Sequence, residues 1–454
     1  MDKKGSGRDR TLSYLCSGAA GGRLNNMRIM LDCRPLQLAG SDSEKYRLIV
    51  SVFAALSGDE AVEWLLLVDH TYRPGLLPGL VSDQFGSRPA ATGLDPALSG
   101  ISADRVHLLP ARSLPGPLGW KLWYDWQLPR LVKRHKPDLL MLTGGVTAKP
   151  SGARQCVWMP VFANPKEAVA IPAGFSVPIY AARLGNSVRQ AETIFCYSEK
   201  DRNWLAGRGH IDAANILVVR PSASPGIHPL PVSDKEAIKQ RYTGGKEYFF
   251  VPAAGTEVGA GAGEDQIVQL LKAFSLFKKR QLSNFQLVLA GTQTGSLRQR
   301  LETYKYRGDV HWIDAAAASP DHFTTDPDHV PTGPDRAVTV TGAIATDLVS
   351  AAYAVLFPFE DGSLGTTLFN AWKAGIPALV TRGSRLRELA DDAAVIAGVD
   401  DPAALAGYMM SIYKDETQRN TLIEKGTSRL SGLDPSPSPA AIRIVIGREI
   451  NKIN

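Results

Sequence analysis

Short runs of aliphatic, β-branched and aromatic residues alternate along this chain with segments whose apolar residues recur at helical spacing. That alternation restricts the fold more than any other feature. From Met27 onward the apolar runs fall at 28–32, 64–68, 106–109, 138–142, 156–161, 193–197 and 216–219. After a proline-rich passage (Pro221, Pro225, Pro229, Pro231) they resume at 248–252, 285–289, 310–313, 354–357, 378–381 and 394–396. Strands that alternate with helices form a parallel sheet with crossover connections. Helices are predicted at 44–56, 177–191 and 235–242, and at 265–279, where Ile267, Leu270, Leu271, Phe274 and Phe277 share a face. Ser198 and Asp201 form a capping-box pattern that opens another helix. The pattern predicts an α/β chain of two Rossmann-like domains in tandem, and 454 residues exceed what one ordinary core accommodates.

The expected organisation is a polar, glycine-rich mobile extension over 1–26, a first domain over 27–230 and a second over 231–437. Residues 314–336, rich in Pro, Asp, Ala and Thr and without a period, read as a surface insertion. Its Asp326-Pro327-Asp328 mimics a D-x-D metal motif but lacks a flanking strand, so no metal site is expected. Hydrophobic residues make up 44% and charged residues 21%, which excludes a disordered chain. A formal charge of +6 suits nucleotide phosphates or acidic lipid headgroups without choosing between them, and nothing points to nucleic acid. Cys16, Cys33, Cys156 and Cys196 are scattered and three sit in apolar runs, which suits a reducing cytoplasm. No apolar run reaches the roughly 18–20 residues that span a bilayer. No G-x-G-x-x-G joins a strand to a helix, which argues against a dinucleotide-dependent oxidoreductase.

Within 358–426 the pieces Gly365, Ala371, Ala374-Gly375-Ile376-Pro377, Ser384, Glu388, Asp401-Pro402 and Leu405-Ala406 follow one another at a distinctive spacing. This segment resembles the nucleotide-sugar half of family 4 glycosyltransferases. Similarity extends to 27–35 (MRIMLDCRP), 128–141 and 191–201, so it covers nearly all of 27–425. The resemblance implies the GT-B fold, two Rossmann-like domains facing a cleft. It also implies a terminal helix within 438–454 that crosses back to the first domain after the Pro-Ser-Pro-Ser-Pro break.

The chemistry expected of such a chain is retaining, metal-independent transfer from a nucleotide-diphosphate sugar, with no further cofactor, to a glycan or lipid-linked acceptor. Such a reaction serves cell-surface polysaccharide or glycolipid assembly, in the cytoplasm or at the inner face of the membrane. The loop Ser363, Leu364, Gly365, Thr366 and Thr367 leads from the run at 354–357 into a helix predicted at 368–374, where free amides and the helix dipole can hold phosphate. Family members carry an E-x7-E pair here; in this register Gly362 and Asn370 stand in its place, with Glu360 and Asp361 just outside. The loop after the run at 248–252 usually offers an Arg and a Lys. Here it has none: Gly255 and Thr256 are left to approach the phosphates, while Glu257 and Glu264 would repel them. Arg382, with Arg385 and Arg387, reads either as a solvated basic turn or as a replacement cation. The departures leave a second reading open, a catalytically degraded GT-B protein acting as a binding or scaffold subunit. Lys121-Leu122-Trp123-Tyr124-Asp125-Trp126, leading into Arg130, Lys133, Arg134 and Lys136, mixes aromatic and basic residues. It suits either a peripheral membrane contact or core tryptophans beside a solvated basic face.

Overall fold

The computed structural model describes residues 27–35, 48–49, 53, 62–70, 105–112, 114, 116–150, 152–159, 177–207, 211–224, 226–252, 262–291, 293–313, 342–358, 365–384, 386–398 and 401–433. The expectations for 1–26, 314–336 and 438–454 fall outside these residues.

The first sheet contains β1 (Met27–Asp32), β2 (Val62–Asp69), β3 (Val106–Ala111), β4 (Leu139–Leu142), β5 (Arg154–Trp158), β6 (Thr193–Cys196) and β7 (Ile216–Val218). They are all parallel, in the order β3-β2-β1-β4-β5-β6-β7. Ile29 of β1 registers with Trp64 and with Leu139, which makes β1 an interior strand between β2 and β4. Successive residues alternate between two buried clusters: Ile29, Leu31, Trp64 and Leu66 on one face, Met30, Leu65, Leu67 and Leu140 on the other. Burial on both faces explains why these runs are almost continuously apolar.

The helical segments packed with this sheet include α1 (Gly116–Leu122), which passes through a single π-turn, Trp123–Gln127, into α2 (Leu128–His135). Next come α3 (Val177–Gln190) and α4 (Glu199–Ala206). The expected cap of α4 is present: Ser198 Oγ accepts from the Asp201 amide at 3.0 Å.

Beyond the prolines, α5 (Val232–Thr243) leads into the second sheet. It comprises β8 (Tyr248–Val251), β9 (Gln286–Ala290), β10 (Val310–Ile313), β11 (Ala354–Phe357), β12 (Ala378–Thr381) and β13 (Val395–Ala397). These are again parallel, in the order β10-β9-β8-β11-β12-β13. Tyr248 and Phe250 face one core, Phe249 and Val251 the other. The helices are α6 (Ala262–Gln281), α7 (Gly295–Glu302), α8 (Gly342–Ala351), α9 (Thr366–Lys373), α10 (Leu386–Ala390), α11 (Pro402–Lys414) and α12 (Glu416–Gly432). Ala223 and Ile227 of the connecting passage pack into the second core.

α9 and α12 meet at one tight point. A Cβ on Gly426 would lie 2.3 Å from Trp372 Cδ1, so only glycine allows α12 to rest on that ring. Among the described residues no helix is long and apolar enough to cross a membrane.

Candidate functional site

In the second sheet, β8 has β9 on one side and β11 on the other, so the direction of the crossovers reverses between β8 and β11. A doubly wound sheet opens a crevice at that reversal, beyond the carboxyl ends of the strands. Val251 and Phe357 end these two strands. The loops that follow them hold Gly255, Thr256, Glu360, Asp361, Ser363 and Leu364, which lie outside the described residues. Arg385 does too.

Gly365, Thr366 and Thr367 are described, and they begin α9 two residues earlier than the sequence suggested. Gly365 is the N-cap, with φ 112° and ψ 0°, and its carbonyl accepts from the Phe369 amide at 2.9 Å. A side chain at this φ is strained, and a Cβ would meet Leu389 Cδ1 at 2.7 Å, Leu386 Cδ2 at 3.6 Å and Pro221 Cγ at 3.9 Å. Glycine therefore satisfies two demands at once, a left-handed turn and a close approach. Among the described residues, the N-cap residue of α9 supplies no side-chain cap. A helix that starts without one, at the carboxyl edge of a switch point, presents its first-turn amides and positive dipole end to an anion.

Asn370 lies one turn further on, buried. Its Oδ1 accepts from the Ser224 amide at 2.7 Å and its Nδ2 donates to Ser224 Oγ at 3.1 Å. Asn370 thus fastens the connecting passage to α9, which the sequence did not reveal because the partners are 146 residues apart. Each end of a carboxamide has capacity for one more hydrogen bond. Arg382 follows β12, which neighbours β11; its amide donates to Ala397 O at 2.7 Å and its side chain is exposed. Ser384 Oγ accepts from the Leu386 amide at 3.2 Å, at the start of α10.

Of the two acidic residues expected to repel phosphate, Glu257 lies outside the described residues and Glu264 is engaged elsewhere. Glu264, in the first turn of α6, accepts from the hydroxyls of Ser296 (2.7 Å) and Thr294 (2.5 Å), around the start of α7. These hydrogen bonds hold its carboxyl below the usual range, Ser296 contributing most.

The first sheet has its own switch point, between β1 and β4. Asp32 is fully buried at the end of β1, and both its oxygens lie 3.0 Å from Arg34, from Nε and Nη2. The Arg34 guanidinium carbon lies 3.1 Å over the Trp123 ring. Opposite, Thr143 donates to Asp32 O at 2.8 Å, and a Cβ on Gly144 would lie 2.7 Å from Tyr124 Oη. The following loop is held by a pair of bonds between Ala148 and the Gln155 carboxamide and by Ser187 Oγ on the Thr147 amide. The D-x-R-P turn is therefore a rigid, charge-compensated floor. The aromatic segment divides as its two readings did: Trp123 is buried beneath Arg34, whereas Trp126 is 47% exposed, with the Arg130 guanidinium 3.4 Å above its ring. Leu114 and Leu118 are exposed on the same stretch, together with Lys121, Lys133 and Arg134.

Cys33 and Cys196 lie at the ends of β1 and β6, and burial pushes both thiols up, that of Cys196 to about 12. They are core residues rather than nucleophiles.

Neither a protein-family model nor a curated protein sequence matches this chain. Solved structures do. HepE of Anabaena, crystallised with UDP and glucose, is similar with a TM-score of 0.61 at 12% identity, over 94% of this chain and 100% of its own. A glycosyltransferase from Rickettsia africae gives 0.61 at 11% identity, over 95% and 100%. WaaG, a glycosyltransferase involved in lipopolysaccharide biosynthesis, gives 0.60 at 14% identity, over 92% and 100%. Identities this low speak to architecture alone. Two tandem parallel sheets, each with a central switch point, agree with these structures over nearly their whole length, and the chain has the GT-B fold.

Proposed function

We propose that the chain is a retaining, metal-independent glycosyltransferase that takes its sugar from a nucleoside diphosphate. The observation that carries this reading is the start of α9: a glycine-only N-cap, without a side-chain cap, at the carboxyl edge of the second switch point. In this reading the first-turn amides at Thr366 and Thr367 hold the diphosphate, with Gly365 as the turn that aims them, assisted by the backbone of Ser363 and Leu364 and of the loop at Gly255 and Thr256. Arg382 supplies a positive charge. The remaining hydrogen-bond capacity of Asn370 serves the ribose, and Glu360 and Asp361 are assigned to the sugar. The bond between the anomeric carbon and the diphosphate oxygen breaks as the acceptor hydroxyl oxygen bonds that carbon, and the hydroxyl proton passes to the departing diphosphate. Helix amides and a guanidinium stabilise the leaving group where other enzymes use a metal ion.

The acceptor is a glycan or lipid-linked glycan bound over the first switch point, in cell-surface polysaccharide or glycolipid assembly. Exposed Leu114, Leu118 and Trp126 beside Lys121, Lys133 and Arg134 support a contact with the inner face of an anionic membrane. Binding to vesicles of acidic phospholipid but not to neutral ones tests that part.

A specific observation favours the second reading, a binding or scaffold subunit: Asn370 stands where the family has a carboxylate and is already engaged with Ser224. Calorimetry with UDP, GDP and ADP and their sugars, followed by a transfer assay, separates the two. Binding with turnover supports the enzyme, binding without turnover the scaffold, and no binding removes the donor site. HepE was solved with UDP, which makes uridine nucleotides the first choice.

A further inference from the structure

α10 belongs to the second domain, yet the carboxylate of its Glu388 reaches the first. Oε1 accepts from the Glu199 amide at 2.8 Å and Oε2 from the Lys200 amide at 3.2 Å, across 189 and 188 residues of sequence. Glu199 and Lys200 are the first two residues of α4, and the third amide, of Asp201, is taken by Ser198. Helix first-turn amides have no partner within their own helix, and a carboxylate is the acceptor that the dipole favours there. α4 therefore takes its N-terminal cap from both domains.

The surroundings are arranged to permit this. The Glu199 side chain would repel Glu388 if it faced it, but it lies 3.5 Å from Arg202 and 3.5 Å from Arg220. Behind Glu388, Arg429 of α12 donates to Leu389 O at 3.1 Å and to Glu388 O at 3.3 Å, bracing the last turn of α10. Leu386 and Leu389 of the same short helix form the surface on which Gly365 sits. A continuous path thus runs from the first turn of α9, through α10, to the start of a helix in the other domain.

We propose that Glu388 is a positioning residue, a clasp between the domains that sets the spacing between the α9 site and the first-domain crevice. Its role in transfer rests on the function proposed above; its role in domain spacing does not. A cap within one domain contributes to that domain's stability alone. A cap across two domains also fixes their orientation, and an ångström of misplacement costs on the order of 100-fold in rate.

The test is a distance distribution between spin labels at Lys133→Cys in α2 and Lys373→Cys in α9, both exposed positions in different domains. In the otherwise unaltered protein the distribution is narrow. Glu388→Ala broadens it. Glu199→Pro, which removes the 2.8 Å donor at a first-turn position that accepts proline, does the same from the other side. Glu388→Gln, which retains one acceptor oxygen, falls between. Circular dichroism checks that each variant is folded. A distribution unchanged in both Glu388→Ala and Glu199→Pro overturns the clasp. In a transfer assay Glu388→Ala lowers kcat on the order of 100-fold and leaves nucleotide Kd unchanged, whereas a residue that binds donor would raise Kd. If labels separate but no nucleotide binds the unaltered protein, the clasp stands and the donor reading falls.

Discussion

Gly365→Ala is the most informative single perturbation of the donor site. At φ 112° an alanine is strained by about 1–3 kcal/mol. Its Cβ would also sit 2.7 Å from Leu389 Cδ1, and displacing a packed core side chain costs about 1–3 kcal/mol more. The sum, about 2–6 kcal/mol, is relieved by moving either the first turn of α9 or α10. Moving α9 shifts the amides assigned to the diphosphate. The variant is therefore expected to melt lower, by about 2–4 °C per kcal/mol in a domain of this size, and to lose nucleotide affinity. Gly152→Ala is the control: Gly152 has φ 99°, but nothing lies within 4 Å of its Cβ. It carries backbone strain without the clash and should bind nucleotide normally. Differential scanning calorimetry and titration calorimetry on the three proteins decide the matter. Unchanged melting and unchanged nucleotide affinity in Gly365→Ala would refute the reasoning.

Gly426→Ala should destabilise the second domain by about 1–3 kcal/mol in a urea melt, because its Cβ would lie 2.3 Å from Trp372 Cδ1. Glu264 has its carboxyl held low by Ser296 and Thr294, so its contribution is complete above the unfolded value near 4.3 and is lost as pH falls through the lower folded value. Glu264→Gln should thus lose less stability than the natural protein between about pH 5 and 3, and a parallel loss in both would count against those hydrogen bonds. Cys33, Cys156 and Cys196 are buried, so alkylation mapped by mass spectrometry at neutral pH should leave them unmodified until denaturant is added.

The architecture was readable because each strand is buried on both faces, so its apolar run stands out against amphipathic neighbours. Every run predicted as a strand forms one. Boundaries were less clear where charge or β-branching disguised them. β5 begins at Arg154 rather than 156, since the Arg154 charge is offset by Glu192 at 3.5 Å. α9 begins at Thr366 rather than 368 because two threonines resemble a loop, and only the left-handed Gly365 marks the turn. Local spacing located the turn that opens α9. It did not expose Asn370 on Ser224, Trp123 beneath Arg34 or Glu388 on α4, because each joins residues distant in sequence whose meeting depends on the finished packing. Glu264 shows the converse: its charge was legible, but its direction was not, because the hydroxyls that hold it start another helix.

The central claim is that a nucleoside diphosphate is held by the first turn of α9 at the second switch point. Hydrogen–deuterium exchange with and without UDP tests it most directly, because the amides named are the groups whose exchange is read. Exchange is expected to slow in peptides that cover 359–374 and 253–264, with the first-sheet strands unchanged. UDP binding that leaves both peptides unaffected, or protects only the first domain, would contradict it.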